Sequence, residues 1–287
     1  MDKKTIIFLF FSFISSITLS SQQEKQAELK YTLDWKSGKL SISLTQSTRE
    51  KELSPISPYI TQREIESLLP YYIKLAMEKI QVNSRENISD ILLKQPQLNL
   101  QLLEIDKEIK NKNISYSDDL DSLTISVDIE LFPSIAELLI NHSMTEEIPH
   151  RLGWVAADSF TGLVIDAKGE LPIYGTENKG KLIPAIFPRI FNSRGELILS
   201  VEMLDPKTAK KTGIAAYTDS YDEKPFLNRI GQKPLRIKAK AIFGKNPTDI
   251  VLPEEAIKLL LAKDENRKIL QEGKILIICD NVIQEEP

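Results

Sequence analysis

Two aspartates and an arginine are the first residues to weigh for chemistry. Asp166 closes the apolar run Leu163-Val-Ile165, Arg189 stands between Pro188 and Ile190, and Asp219 opens an acidic loop reaching Lys224. An acid at the end of an apolar strand is a place where a shifted ionisation can serve binding or proton transfer. The plainer reading makes Asp166 a strand-end acid facing the loop at Lys168-Gly169, with Arg189 as its structural ion-pair partner across the sheet. Convergence of Asp166, Arg189 and Asp219 would instead build a cleft between two modules, suited to a small ligand or a hydrolytic step.

The remaining candidates are weaker. His142 and His150, with Glu146 and Glu147 between them, lack the spacing of a helical zinc motif, and Pro149 breaks any shared face. They read as solvated linker residues. Asp118, Asp119 and Asp121 resemble part of a calcium loop, without its central Gly or distal Glu. They lead straight into a strand and read as a turn or cap. Gly244-Lys245 has no Gly-rich loop before it, and neither a nucleophile elbow nor a Ser-X-X-Lys pair stands out. Cys279, the single cysteine, lies in the apolar run Ile275-Leu-Ile-Ile-Cys279 and reads as a small buried hydrophobe. No catalytic residue, metal ligand or cofactor is assigned. Arg236, Lys238 and Lys240 alternate with apolar residues and give one strand a basic face, suited to an acidic partner surface or to keeping an edge soluble.

Export is written at the start. Lys3 and Lys4 precede Ile6-Ile-Phe-Leu-Phe-Phe11, and small residues follow at Thr18, Ser20 and Ser21. This is the pattern of a signal peptide over residues 1–21, cleaved near Ser20 or Ser21. At about 15 residues with several hydroxyls, the apolar stretch falls short of the ~20 that a span requires. Retention of residues 5–19 would give an inner-membrane tether instead. No cysteine lies near the cleavage region, so no lipid anchor is expected. Cleavage after residue 20 removes Asp2, Lys3 and Lys4, so 37 basic and 41 acidic residues become 35 and 40, a net charge of −5. An acidic exported chain is a poor fit for nucleic acid. One cysteine permits no internal disulfide, which favours a bacterial periplasm.

The elements that must position these residues fall into two modules. In residues 28–142, Leu29 to Trp35 and Leu40 to Leu44 alternate around Lys36-Ser-Gly38, predicting a β-hairpin. Thr61 and Glu64 predict a capped helix with Ile65, Leu68, Leu69, Tyr72, Ala76 and Ile80 buried, kinked or broken at Pro70. A second helical stretch over 88–109 divides near Pro96, a strand covers 119–131, and a short helix runs from Pro133 to about Asn141. Residues 143–153 form a linker.

In residues 154–280, strands at 162–167, 196–201, 214–217, 235–243 and 274–279 alternate with helices at 206–211 and 253–262. Pro184 and Pro188 bracket Ala185-Ile-Phe187, so residues 182–191 are an edge strand or an extended segment against the core. The whole predicts an α+β protein of mixed, mainly antiparallel sheets with packed helices.

Four motifs occur in order in the second module. They are Phe160-Thr-Gly-Leu-Val-Ile-Asp-Ala-Lys-Gly169, Pro184-Ala-Ile-Phe-Pro-Arg-Ile190, Pro234-Leu-Arg-Ile-Lys-Ala239 and Phe243-Gly-Lys-Asn-Pro-Thr-Asp-Ile250. The set resembles the Lpp20-like and flagellar T-like envelope proteins of bacteria, over about residues 150–280. The resemblance implies an exported, non-enzymatic α+β domain whose partners are other envelope proteins, including flagellar basal-body components. It supplies no catalytic residues. With its first module, the whole chain resembles spirochaete envelope proteins.

Overall fold

The computed structural model describes residues 27–48, 57–105, 109, 112–150 and 156–286. The expected signal peptide lies outside the described residues. The hairpin forms where expected: β1 (Glu28–Asp34) and β2 (Lys39–Ser47) pair antiparallel around Gly38, which sits at φ 68°. Next come α1 (Ser57–Glu78), α2 (Ile88–Lys94) and α3 (Leu98–Leu103). The break between α2 and α3 falls at Pro96, as expected. Asn87 opens α2 with a reciprocal capping box to Asp90.

Two expectations for α1 change. The helix starts a turn before Thr61, which is buried rather than a cap, and it runs unbroken through Pro70. Its core face holds Ile65, Leu69, Tyr72, Ile73, Ala76 and Met77, with Ile80 buried just past its end, whereas Leu68 points outward with Ile60, Tyr71 and Leu75. Leu68 lies more than a quarter-turn off the core stripe, which its apolar character alone does not reveal.

β3 (Lys112–Tyr116) pairs with β4 (Ser122–Glu130), and the chain then passes through a helical turn at Leu131–Ile135 into α4 (Ala136–Leu139). In β4 the alternation is strict, with Leu123, Ile125, Val127 and Ile129 all buried beneath α1.

The second domain is built around a sheet that the sequence does not announce. Its strands are β5 (Leu163–Asp166), β6 (Leu171–Pro172), β7 (Lys179–Gly180), β8 (Ile190–Phe191) and β9 (Leu197–Leu199), followed by α5 (Pro206–Thr212) and β10 (Ala216–Thr218). Then come α6 (Leu227–Ile230), β11 (Leu235–Lys238), β12 (Ala241–Phe243), β13 (Asp249–Val251), α7 (Glu254–Leu261), α8 (Asp264–Gln271), β14 (Ile275–Ile278) and β15 (Ile283–Glu286).

One sheet runs β10-β14-β5-β11 with every pairing parallel, and a second runs β12-β13-β8-β9. The α+β class holds and the first domain is antiparallel throughout, but this four-stranded sheet is parallel. Its central strands, β5 and β14, are buried apolar runs, as parallel sheets require. The segment at 182–189 is an extended stretch against the core, and the alternation over 235–243 divides between two sheets.

The two domains share one core. A continuous cluster of buried apolar side chains runs from Ala27 through both to Val282. β15 follows the second domain yet pairs antiparallel with β1, giving the first domain's sheet the order β15-β1-β2-β4-β3. The described part of the linker is mostly exposed and touches the rest of the protein at a few points. Ile148 is buried and Glu146 N–H donates to Glu202 O at 2.8 Å.

Gly244 marks how closely the domains approach. It sits at φ 109°, and a Cβ there would lie 2.2 Å from Ser84 Cβ of the first domain. Gly244→Ala therefore adds backbone strain to a clash across the joint. We expect it to destabilise the full chain by about 2–4 kcal/mol, read as a lowered midpoint in urea.

Candidate functional site

Arg189 does not meet Asp166. It is held by Asp249, whose carboxylate is fully buried and accepts from Arg189 backbone N–H at 3.0 Å, Nε at 3.1 Å and Nη2 at 2.7 Å. The same Nη2 donates to Ser84 Oγ of the first domain at 2.7 Å. Around this ion pair the backbones of both domains bond directly. Ile186 N–H donates to Gln81 O, Phe187 N–H to Val82 O, and Asn246 N–H to Ser84 O.

Two of the sequence motifs thus meet in space. The Pro-Arg motif supplies Arg189, and the Asn-Pro-Thr-Asp motif supplies its counter-charge. Tyr217 holds the same segment from behind. Its buried hydroxyl donates to Ala185 O at 2.9 Å and accepts from Ala185 N–H at 3.1 Å, while its ring stands edge-on to Trp35 at 5.6 Å. Burial pushes the phenol pKa up, so it stays a neutral bridge.

Asp166 and Asp219 do come to one place, the carboxyl ends of the parallel strands, where open α/β sheets often seat ligands. Asp166 ends β5, Asp219 follows β10 and Asp280 follows β14. Each has a local task. Asp166 Oδ1 accepts from Lys168 N–H at 3.1 Å and from Tyr221 Oη at 3.4 Å, and Asp280 Oδ2 accepts from Gly169 N–H at 2.8 Å. Lys168 Nζ donates to Asp219 O at 2.7 Å and lies over the Tyr221 ring. Asp219 also faces Lys36 of the first domain at 3.8 Å. The arrangement shapes the loops after the strands. With Arg189 engaged by Asp249 and Ser84, the expected three-residue cleft is not assembled.

The other sequence candidates resolve simply. Asp119 and Asp121 lie in the β3–β4 hairpin turn, where Asp119 Oδ1 accepts from Ser117 Oγ and Asp121 N–H. The Ser117 hydroxyl, first among these contacts, lowers the Asp119 pKa to about 2. His142 Nε2 lies 3.4 Å from Leu204 O, and His150 is exposed. Among the described residues, no group of three or more His, Cys, Asp or Glu is placed to hold a metal ion. Cys279 is fully buried, and burial pushes its thiol pKa up to about 12.

The basic stripe is only partly one surface. Arg236 and Lys238 lie on β11, an edge strand, while Lys240 falls in the bend between sheets, its N–H donating to Val251 O. Arg236 is taken by Glu223 in a two-pronged pair at 2.7 and 2.6 Å. The side chains of Lys238 and Lys240 are exposed and make no ion pair among the described residues.

Sequence reasoning missed Ser84, Asp249 and Arg229. The Arg229 guanidinium donates to the carbonyls of Thr212, Gly213 and Gly273, at the C-terminal end of α5 and just past that of α8. Those carbonyls are a natural seat for a cation, and burial lowers its pKa to about 10. Arg229 was not legible in the sequence, since its acceptors are backbone groups from two other segments.

Residues 26–138 match the family model described as Treponema pallidum Tp0624, N-terminal domain, and residues 162–281 match Treponema pallidum Tp0624, second domain. Both halves are Tp0624-like domains. The matches are to these spirochaete domains rather than to an Lpp20-like family. No curated protein matches the chain. Ser84 falls in the N-terminal Tp0624 match and Arg189 and Asp249 in the second, so the ion pair and its hydroxyl partner link the two. β15 lies beyond the second Tp0624 match while completing the sheet of the first.

Arg189→Met keeps the side-chain stem and leaves the Asp249 carboxylate buried without its counter-charge. We expect a loss of about 3 kcal/mol in chemical denaturation. Cys279 should not react with an aromatic disulfide reagent in the native chain at about pH 8, and should react fully once denaturant opens the core.

Proposed function

We propose that this chain is an exported, periplasmic structural protein of the cell envelope, a non-catalytic module that binds other envelope proteins. The observation that carries the reading is the joint between the domains. The arginine and the buried acid that would otherwise invite a chemical role bind each other and Ser84. They fasten two domains into one unit whose sheets, among the described residues, end in unpaired strands that include β3, β11 and β9. Such edges are the usual sites where extended partner segments add.

Similarity to the Tp0624 domains supports a spirochaete-type protein, and the order of the four motifs supports the finer reading of an Lpp20-like or flagellar T-like role in envelope or basal-body assembly. The leading apolar stretch supports secretion across the inner membrane. Among the described residues no helix is long and apolar enough to cross a membrane. Intact mass of the N-terminus separates a cleaved chain from a tethered one. The competing reading, a small-ligand or hydrolytic cleft formed by Asp166, Arg189 and Asp219, is disfavoured by the bonding of Arg189.

In-cell cross-linking of the tagged full chain, followed by affinity purification, tests the assembly role. Recovery with envelope or basal-body proteins is the expected result. Recovery alone, together with a thermal shift produced by a small molecule, would overturn it.

A further inference from the structure

Among the described residues β11 pairs only with β5, and the ladder fixes which of its backbone groups look outward. Leu235 N–H donates to Gly162 O at 2.9 Å and Ala239 N–H to Asp166 O at 2.8 Å, in register with Leu163 to Asp166 of β5. In a parallel ladder each residue turns both its N–H and its C=O to the same side, and successive residues alternate sides. Arg236 and Lys238 therefore present their N–H and C=O groups to the edge away from β5, where no strand pairs with β11 among the described residues.

The faces of the strand are as distinct as its edges. Leu235 and Ile237 pack on the main core but remain half-buried, their outer flanks uncovered. Arg236 and Lys238 occupy the other face and are exposed, Arg236 partly covered by Glu223, with Lys240 just beyond in the bend between the sheets. With Arg236 taken by Glu223, Lys238 and Lys240 supply positive charge that makes no ion pair among the described residues. Arg236 already shows the preferred counterpart, since it holds the Glu223 carboxylate with both prongs.

We propose that β11 accepts an extended acidic segment of a partner protein as a further strand, one whose residues alternate between acidic and apolar. Its backbone would pair with Arg236 and Lys238. Its apolar side chains would cover Leu235 and Ile237, and its carboxylates would meet Lys238 and Lys240. A second copy of the same strand would set like charges opposite one another, which disfavours edge-to-edge self-pairing. The inference rests on the proposed assembly role and names the chemistry of one contact within it.

The test uses the full chain and fluorescently labelled peptides alternating Glu with Val. Companions carry Lys in place of Glu, or Pro at one inward-facing position. Anisotropy should show binding of the Glu peptide that weakens with salt, and loss of binding for the Lys and Pro companions. The double substitution Lys238→Glu with Lys240→Glu should weaken the Glu peptide by at least about tenfold at unchanged melting temperature, because both side chains are exposed.

No binding of the Glu peptide at millimolar concentration would overturn the proposal. Equal binding of the Pro companion would also overturn it, by showing charge attraction without strand addition. Self-association of the chain abolished by Lys238→Glu would assign the edge to a second copy instead. If in-cell cross-linking still recovers envelope proteins while the Glu peptide fails, the assembly reading stands and this contact falls.

Discussion

The structure depends on one buried ion pair that bridges two distant parts of the second domain and reaches into the first. An uncompensated carboxylate with no solvent exposure would cost several kcal/mol. Asp249 therefore requires Arg189, which approaches from 60 residues away. The guanidinium then has a donor left over, and Ser84 accepts it. A single side chain thus fixes the register of β8 beside β13 and the seat of the first domain upon both. Gly244 is glycine because the backbone passes Ser84 at a distance that no Cβ permits.

The rest of the joint reinforces this point. The backbone bonds to Gln81 and Val82 occupy groups of the bracketed Pro-Ala-Ile-Phe-Pro segment, which cannot complete a ladder of its own. Tyr217 satisfies both backbone groups of Ala185 and turns its ring to Trp35. β15 then returns to β1, and Trp35 N–H donates to Val282 O beside it. The chain crosses between domains at both ends of the second, so separating them would break a strand pairing as well as expose apolar core.

Local structure was legible where a local pattern determines it. The alternation of β1, β2 and β4, the Gly38 turn and the division at Pro96 each follow from a few neighbouring residues. What depends on distant pairing was not. Nothing near Asp166 indicates that β5 is flanked by two parallel strands, so its meeting with Asp219 and Asp280 was seen only in part. Arg189 was correctly picked out as a charge needing a partner, but the nearer apolar-strand acid drew the assignment that belongs to Asp249. The alternation that starts at Leu235 runs as far as Ala241, and the apolar run Ala241-Ile-Phe243 belongs to β12 of the second sheet, where Ala241 and Ile242 are both buried. β15 is too short and too acidic to stand out as a strand. Its partner, β1, is what makes it one.

The two Tp0624-like domains are joined into one cooperative unit at Ser84, Arg189 and Asp249. Differential scanning calorimetry of the full chain tests it most directly. One transition, with calorimetric and van't Hoff enthalpies equal, is the predicted result. Two resolved transitions, each carrying the enthalpy of a single domain, would contradict the account.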